Sequence, residues 1–270
     1  MNQSELATVQ LTDAYASASE RFLENNNQGL AQFTQYFQAE LATSSPQKTA
    51  IYQLRHQVYC EELAYEACKP DRLECDHYDE RSLHCYLSHR SSDRYAGTVR
   101  LITCEQNVDQ LPVEHYFAGR YTSNSLTPSH FPRNQICEIS RLAVPEQFRR
   151  RLKNQPAAKD LPQLDAVDNR NGNQYYRYIA ISLYLIAMIL SVKSGRYHAF
   201  VTIEPALARV LYRIGFHFIQ IGEPIELNGQ RAPYYLDMRT VCFNLNDDYL
   251  QLKELLIAQL KDGNTVQFNA

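Results

Sequence analysis

The chain has 270 residues, is 44% apolar and carries a formal net charge of -3. That length accommodates one large domain, or one domain with an appendage, around a sizeable core. The weak net charge excludes a global attraction to nucleic acid or to an anionic membrane, so any basic docking surface must be local.

The chain starts Met1-Asn-Gln-Ser-Glu-Leu6, without the basic and apolar regions of a secretory leader, and holds 7 cysteines, an odd number. Reduced thiols in a cytoplasmic protein are the expectation. Residues 1–45 are rich in Gln, Asn, Ser and Ala. Leu11, Tyr15 and Phe22, then Leu30, Phe33, Phe37 and Leu41, carry a weak helical spacing that Asn25–Gly29 interrupts. This predicts a helical N-terminal extension, as two helices or one helix and an arm, ahead of a main domain over 46–270. A helix is predicted over Lys48–Tyr65, with Ile51, Leu54, Val58 and Leu63 inward and Arg55 and Tyr59 four apart on one face.

A polar loop with Glu74, Asp76 and Asp79 follows. Leu83–His89 and Tyr95–Thr103 read as an antiparallel strand pair turned at Ser91–Asp93. Residues 105–134 form a long connection, of a length that is often functional inside a domain. The next strand, Gln135–Val144, places Glu138 and Arg141 on a segment whose other residues ask for burial. Burying a charge is costly unless it is paired or at work, so charges from separate segments point to one polar site inside an apolar fold. A basic stretch, Pro145–Lys153, comes after it with Arg149, Arg150 and Arg151.

The helix predicted over 174–194 is apolar nearly all round between Tyr178 and Val192. That run is shorter than the roughly 20 residues a bilayer requires, so a buried central helix is expected and no transmembrane segment. Tyr197–Ile203, Phe216–Ile221 and Tyr234–Phe243 read as strands, with helices over Pro205–Ile214 and Asp247–Lys261. The order gives an α/β (α+β) fold: a mixed, mostly antiparallel sheet with helices on both faces.

Several stretches in order carry a family resemblance: Tyr52-Gln-Leu-Arg-His-Gln-Val-Tyr-Cys-Glu-Glu62, the Glu74–Asp79 cluster, Ala96-Gly-Thr-Val-Arg-Leu101, Glu138-Ile-Ser-Arg-Leu-Ala-Val144, Phe148-Arg-Arg-Arg151, Glu204–Phe216 and Gly222–Pro233. From about residue 50 to about residue 240 the chain resembles the acyl-homoserine-lactone synthase branch of the GNAT acyltransferase superfamily. Within it, the chain is most similar to N-acyl amino acid synthases and to exosortase (PEP-CTERM)-associated acyltransferases. By this resemblance Arg55, Asp76, Asp79, Arg100, Glu138 and Arg141 fall on the branch's charged positions, with Tyr59 where an aromatic stands. The lactone synthases carry a tryptophan after the first helix, near their S-adenosylmethionine site. This chain has no Trp, and Tyr65 is the nearest aromatic. That departure favours an amino acid or another small amine as acceptor.

The resemblance implies acyl transfer from a thioester to an amine, with no permanently bound cofactor and no metal. Glu138 is the expected general base, which requires a pKa raised toward neutrality. Backbone N–H groups at Leu142 and Val144, on a strand expected to bulge, would receive the developing oxyanion. Arg55, Tyr59, Asp76, Asp79, Arg100 and Arg141 are the expected substrate-binding set. For the acids, a solvated turn or an orienting partner for arginine is the competing reading; for Arg100, a structural pair with Asp76 or Asp79 competes with a substrate carboxylate. The loop from Gln147 to Lys153 lacks glycine. A pyrophosphate cradle is therefore poorly supported, and the arginines Arg149, Arg150 and Arg151 suit the phosphopantetheine arm of an acyl carrier protein, with acyl-coenzyme A the other donor.

Tyr184, Met188, Phe200, Phe216 and Phe218 are candidates for a fatty-tail slot, although such residues are more often core. Cys60, Cys68, Cys75, His77, His84 and Cys85 lie close in sequence but lack paired C-x-x-C spacing. Two alternatives stand beside the N-acyltransferase: an acyl-homoserine-lactone synthase using S-adenosylmethionine, and a non-catalytic acyl-binding domain. The expected partners are acyl carrier protein and a small amine, with no nucleic acid.

Overall fold

Strand structure begins earlier than the apolar spacing predicts. In the computed structural model, which describes residues 30, 33–149 and 172–262, Phe37–Leu41 is a strand, β1, and not a helix. Phe37 and Ala39 alternate inward while Gln38 and Glu40 face outward, a period of 2 that outweighs the helical spacing of Phe33, Phe37 and Leu41. β1 lies at the edge of the sheet. There Gln259 accepts the Ala39 N–H at 2.8 Å and donates to the Phe37 carbonyl at 3.1 Å, satisfying backbone groups that an edge leaves open.

Helix α1, Ser45–His56, starts at a capping box in which the Ser44 and Gln47 side chains each accept the other's backbone N–H. It does not run on as one α-helix to Tyr65: from Gln57 to Glu62 the chain widens into a π-helical turn that contains Tyr59. The other strands are β2 (Ser82–His89), β3 (Arg94–Thr103), β4 (Ile136–Ala143), β5 (His198–Ile203), β6 (Ile219–Gln220), β7 (Ile225–Glu226) and β8 (Gln230–Asp237). Among the described residues they form an 8-stranded sheet ordered β1-β2-β3-β4-β5-β8-β6, with β7 paired to β8. Every pairing is antiparallel except β4 with β5.

One face of the sheet is covered by α3 (Gly172–Lys193), whose residues from Ile181 to Ser191 are all buried, and by the C-terminal helix α6 (Asp247–Asp262). No helix among the described residues is long and apolar enough to cross a membrane. The other face carries α1, the short helix α2 (Pro112–Tyr116) and the 104–135 connection. α4 (Pro205–Ile214) follows β5, and α5 (Val241–Asn244) follows β8. The last strand ends at Asp237 and not at Phe243, because the Asp237 carboxylate accepts the Arg239 N–H at 3.0 Å and turns the chain. The expected Phe216–Ile221 strand shortens to β6, since Phe216 is buried in the main core directly after α4.

Two irregularities shape the site face. The β4–β5 ladder runs from Ile136–His198 to Ile139–Val201 and stops, so the two strands separate at their C-terminal ends. On its other side β4 carries an extra residue against β3: Thr98 faces Ala143, but Arg100 faces Ser140. Arg141, at φ 48°, sits in that bulge in the left-handed region. Gly97 makes room for it; a Cβ there would stand 3.1 Å from the Ala143 carbonyl oxygen and 2.9 Å from Leu183.

Candidate active site

Alternation along β3, β4 and β5 turns Arg100, Glu138, Ser140 and Thr202 to the α1 face, while Leu101, Cys137, Ile139 and Val201 enter the core against α3. The acidic loop reaches this face from the side. Its last turn is fixed by a second capping box: the Asp76 carboxylate accepts the Tyr78 N–H at 2.9 Å, and the Asp79 carboxylate accepts the Asp76 N–H at 2.8 Å.

Three arginines from three elements lock onto these acids. Arg55 on α1 donates through both Nη atoms to Asp79, at 2.7 and 3.2 Å, and through Nε to Glu74 at 2.5 Å. Arg100 on β3 donates from Nη1 to both Asp76 and Asp79 at 2.7 Å, and from Nε to the Ser140 hydroxyl at 2.9 Å. Arg141 reaches Glu74 at 3.0 Å and Glu66 at 3.2 Å, and its guanidinium lies 5.4 Å from the centre of the Tyr59 ring. Its strained backbone is thus held by ion pairs and stacking. Burial pushes the Asp79 carboxyl up, but the hydrogen bonds and charge of Arg55 and the charge of Arg100 outweigh it and hold it far below the usual carboxylate range. Glu74 and Asp76 are likewise lowered against the effect of burial, by Arg55 and Arg141 in one case and chiefly by Arg100 in the other.

Glu138 differs. It is 2% exposed and forms no ion pair among the described residues; Oε2 accepts the Val113 N–H of α2 at 2.8 Å. Burial pushes its carboxyl up to about 8, although the Val113 N–H and the charge of Arg100 pull downward. The turn carrying Val113 is itself braced. Glu114 accepts the Leu111 N–H at 2.8 Å and both Nη atoms of Arg133 at 2.9 and 2.8 Å. The long 105–134 connection therefore supplies the one hydrogen bond that Glu138 makes among the described residues.

Glu138 opens onto a cavity of about 130 Å³ lined by Tyr59, Tyr65, Glu66, Asp76, Tyr78, Arg100, Tyr116, Ile139, Ser140, Arg141, Thr202, Asn228 and Arg231, among others. Of the residues expected at the site, Tyr59, Asp76, Arg100, Glu138 and Arg141 meet on this wall. Arg55 and Asp79 do not; they are sealed beneath it and act on the cavity through Arg100, Glu74 and Asp76. Leu142 and Val144 are also off the wall, at and beyond the bulge, and the Tyr59 hydroxyl donates to the Leu142 carbonyl at 2.9 Å. Arg149 pairs with Glu62 and is not a free cation; Arg150 and Arg151 lie outside the described residues.

The tail candidates Tyr184, Met188, Phe200 and Phe216 are buried in the two main core clusters, with Phe218 packed against the larger one, and none lines the cavity. No group of three or more His, Cys, Asp or Glu among the described residues could hold a metal. His84 faces Asp79 across the sheet from Cys85, its imidazole pushed down to about 4 mainly by burial, so the neighbours do not form a nucleophile pair. Spacing along the chain missed Val113, Thr202 and Arg231. Val113 acts through its backbone, and Arg231 stood inside the Gly222–Pro233 stretch without a local pattern to mark it.

Residues 54–155 match the family of acetyltransferase (GNAT) domains. No curated protein matches the sequence. Among solved structures, the chain is similar to BjaI, a CoA-dependent acyl-homoserine lactone synthase with MTA, at 16% identity and a TM-score of 0.56 over 86% of this chain and 96% of that one. It is similar to TofI, in a ternary complex with an inhibitor and MTA, at 14% identity and 0.54 over 82% and 99%. It is also similar to FeeM, an N-acyl amino acid synthase from uncultured soil microbes, at 12% identity and 0.51 over 77% and 94%. The sheet thus has the GNAT-like fold of these structures, and the family match lies within it, over residues 54–155.

Proposed function

We propose that the chain is an N-acyltransferase that moves a fatty acyl group from an acyl carrier protein thioester to the amine of an amino acid or related small amine. One observation carries this reading: Glu138, a buried carboxylate without a cation among the described residues and pushed up to about 8, stands on the wall of a small polar cavity beside a bulged strand.

An amine enters as its ammonium form and cannot attack until it loses a proton. Glu138, as the carboxylate, accepts that proton directly or through one water. The nitrogen lone pair then forms a C–N bond to the thioester carbonyl carbon. The tetrahedral oxyanion is met by backbone N–H groups at the part of the bulge that lines the cavity, around Arg141. Its collapse breaks the C–S bond, and the second amine proton leaves with the thiolate as a thiol. Amide, free pantetheine thiol and the proton that Glu138 then passes to water balance ammonium and thioester. The separation of β4 from β5 beyond Ile139 supports the placement of the donor, because strand backbone that has lost its neighbour can pair with the amides of a pantetheine arm. The glycine-free Gln147–Lys153 loop favours the carrier protein over coenzyme A.

The test is incubation of the protein with acyl-carrier protein or acyl-coenzyme A and a panel of amino acids and amines, with products read by mass spectrometry. An N-acyl amide formed faster from the carrier protein is expected. Absence of thioester consumption with every acceptor overturns the reading, and a lactone formed only with S-adenosylmethionine replaces it with the lactone synthase.

A further inference from the structure

Three arginines line the cavity, and their charges are not equally free. Arg100 is neutralised by Asp76 and Asp79, and Arg141 by Glu74 and Glu66. Arg231 on β8 forms no ion pair among the described residues, and its Nε is buried without a hydrogen-bond partner. A buried, unpartnered donor on a cation that faces a cavity is costly unless a ligand completes it.

The residue is also held in place. β7 and β8 form a hairpin in which Ile225 faces Arg231, and Asn228 and Gly229 turn the chain at φ 50° and 96°. Asn228 Nδ2 donates to the Tyr65 carbonyl at 3.2 Å, and the Arg231 guanidinium stacks 5.4 Å from the Tyr65 ring centre. The tip of the hairpin is thereby tied to the chain following α1, across the cavity.

We infer that Arg231 binds the carboxylate of the acceptor, so that the preferred acceptor is an amino acid and not a simple amine. This rests on the acyl-transfer reading of the same cavity. Glu138 would face the amine and Arg231 the carboxylate of one molecule within about 130 Å³. The other available anion, the phosphate of a pantetheine arm, is separated from its thioester by two amide-linked segments and does not fit this space together with the reacting carbonyl. Arginine suits the task because its planar fork offers paired donors to a carboxylate.

The test uses the full chain, wild type and Arg231→Gln, with a panel of amino acids, each beside its carboxamide. Binding is read by saturation-transfer NMR and turnover by thioester consumption, with the Tm of each variant recorded. The wild type should bind and acylate amino acids about 10- to 100-fold better than their carboxamides, the range for a charge-assisted contact. Arg231→Gln should raise KM for the amino acids by that factor, leave kcat nearly unchanged and abolish the discrimination. Arg231→Lys should restore part of it, which a variant merely impaired in folding would not. Equal wild-type binding of acids and carboxamides overturns the inference. Selective, Arg231-dependent binding without any acylation upholds it and overturns the acyltransferase reading instead.

Discussion

Asp79 and Glu138 are two carboxylates on the same side of one sheet, 4% and 2% exposed, and their ionisation runs in opposite directions. Asp79 is embraced by Arg55 and Arg100 and stays charged. Among the described residues Glu138 has one backbone N–H and no cation, and its charged form is penalised. Burial is common to both, so it cannot be what separates the lowered carboxyl from the raised one; the partners do. The acidic loop gathers acids in order to fix arginines. The long connection offers Glu138 a backbone N–H in place of a cation, which is the arrangement the proposed proton-accepting role requires.

The sharpest way to break this comparison is to remove a cation from the paired side. Arg55→Met takes from buried Asp79 and Glu74 one of the two cations each holds, and about 3–5 kcal/mol of stability should be lost. Denaturant or thermal unfolding measures it. A variant as stable as the wild type would show that the network is not scaffold. On the unpaired side the outcome inverts: Glu138→Gln keeps shape and can still accept the Val113 N–H, so the fold should hold while turnover falls about 10²-fold. If turnover is retained, Glu138 is not the base.

The two carboxylates should also carry opposite pH signatures. Asp79, Glu74 and Asp76 are lowered in the folded state, so their contribution to stability is present above the unfolded carboxylate range near 4 and is lost as pH falls. Glu138 is raised, so its contribution is full below about 4.5 and is lost as pH rises toward about 8. Glu138→Gln should therefore flatten the decline of stability between pH 5 and 8 and leave the acid limb unchanged. Over the same interval kcat/KM of the wild type should climb about tenfold per pH unit and level off near 8, since only the carboxylate accepts a proton. A rate independent of pH across that range would remove the proton-accepting role.

Glu138 was legible in the chain because an acid on an otherwise apolar strand has few cheap explanations. Arg100 and Arg141 were legible for the same reason, as were β2, β3 and the buried helix α3. The division of labour among the acids was not. Asp76 and Asp79 stand three apart in one loop, and only the third dimension puts Asp76 on the cavity wall and Asp79 beneath it. Arg231 meets Tyr65 through a hairpin far along the chain, and Val113 contributes a backbone group that any residue but proline supplies. β1 was hidden because Phe33, Phe37 and Leu41 satisfy a helical period as well as a strand that starts at Phe37.

The smallest expected effect probes where the two regions join. Tyr59 touches both: its ring stacks on Arg141 of the ion network, and its hydroxyl, kept protonated by burial, donates to the Leu142 carbonyl in the bulge. Tyr59→Phe removes the hydroxyl alone and preserves the stacking, so the loss in stability should be about 1 kcal/mol. If the bulge presents the oxyanion donors, a small displacement of Leu142 should lower kcat several-fold while KM for the amine, set by the charged wall, stays near its wild-type value. A change in KM alone would place the hydroxyl with the acceptor instead. Unchanged kinetics with the expected drop in Tm would make the bulge a packing feature and leave Glu138 as the sole reactive element of the strand.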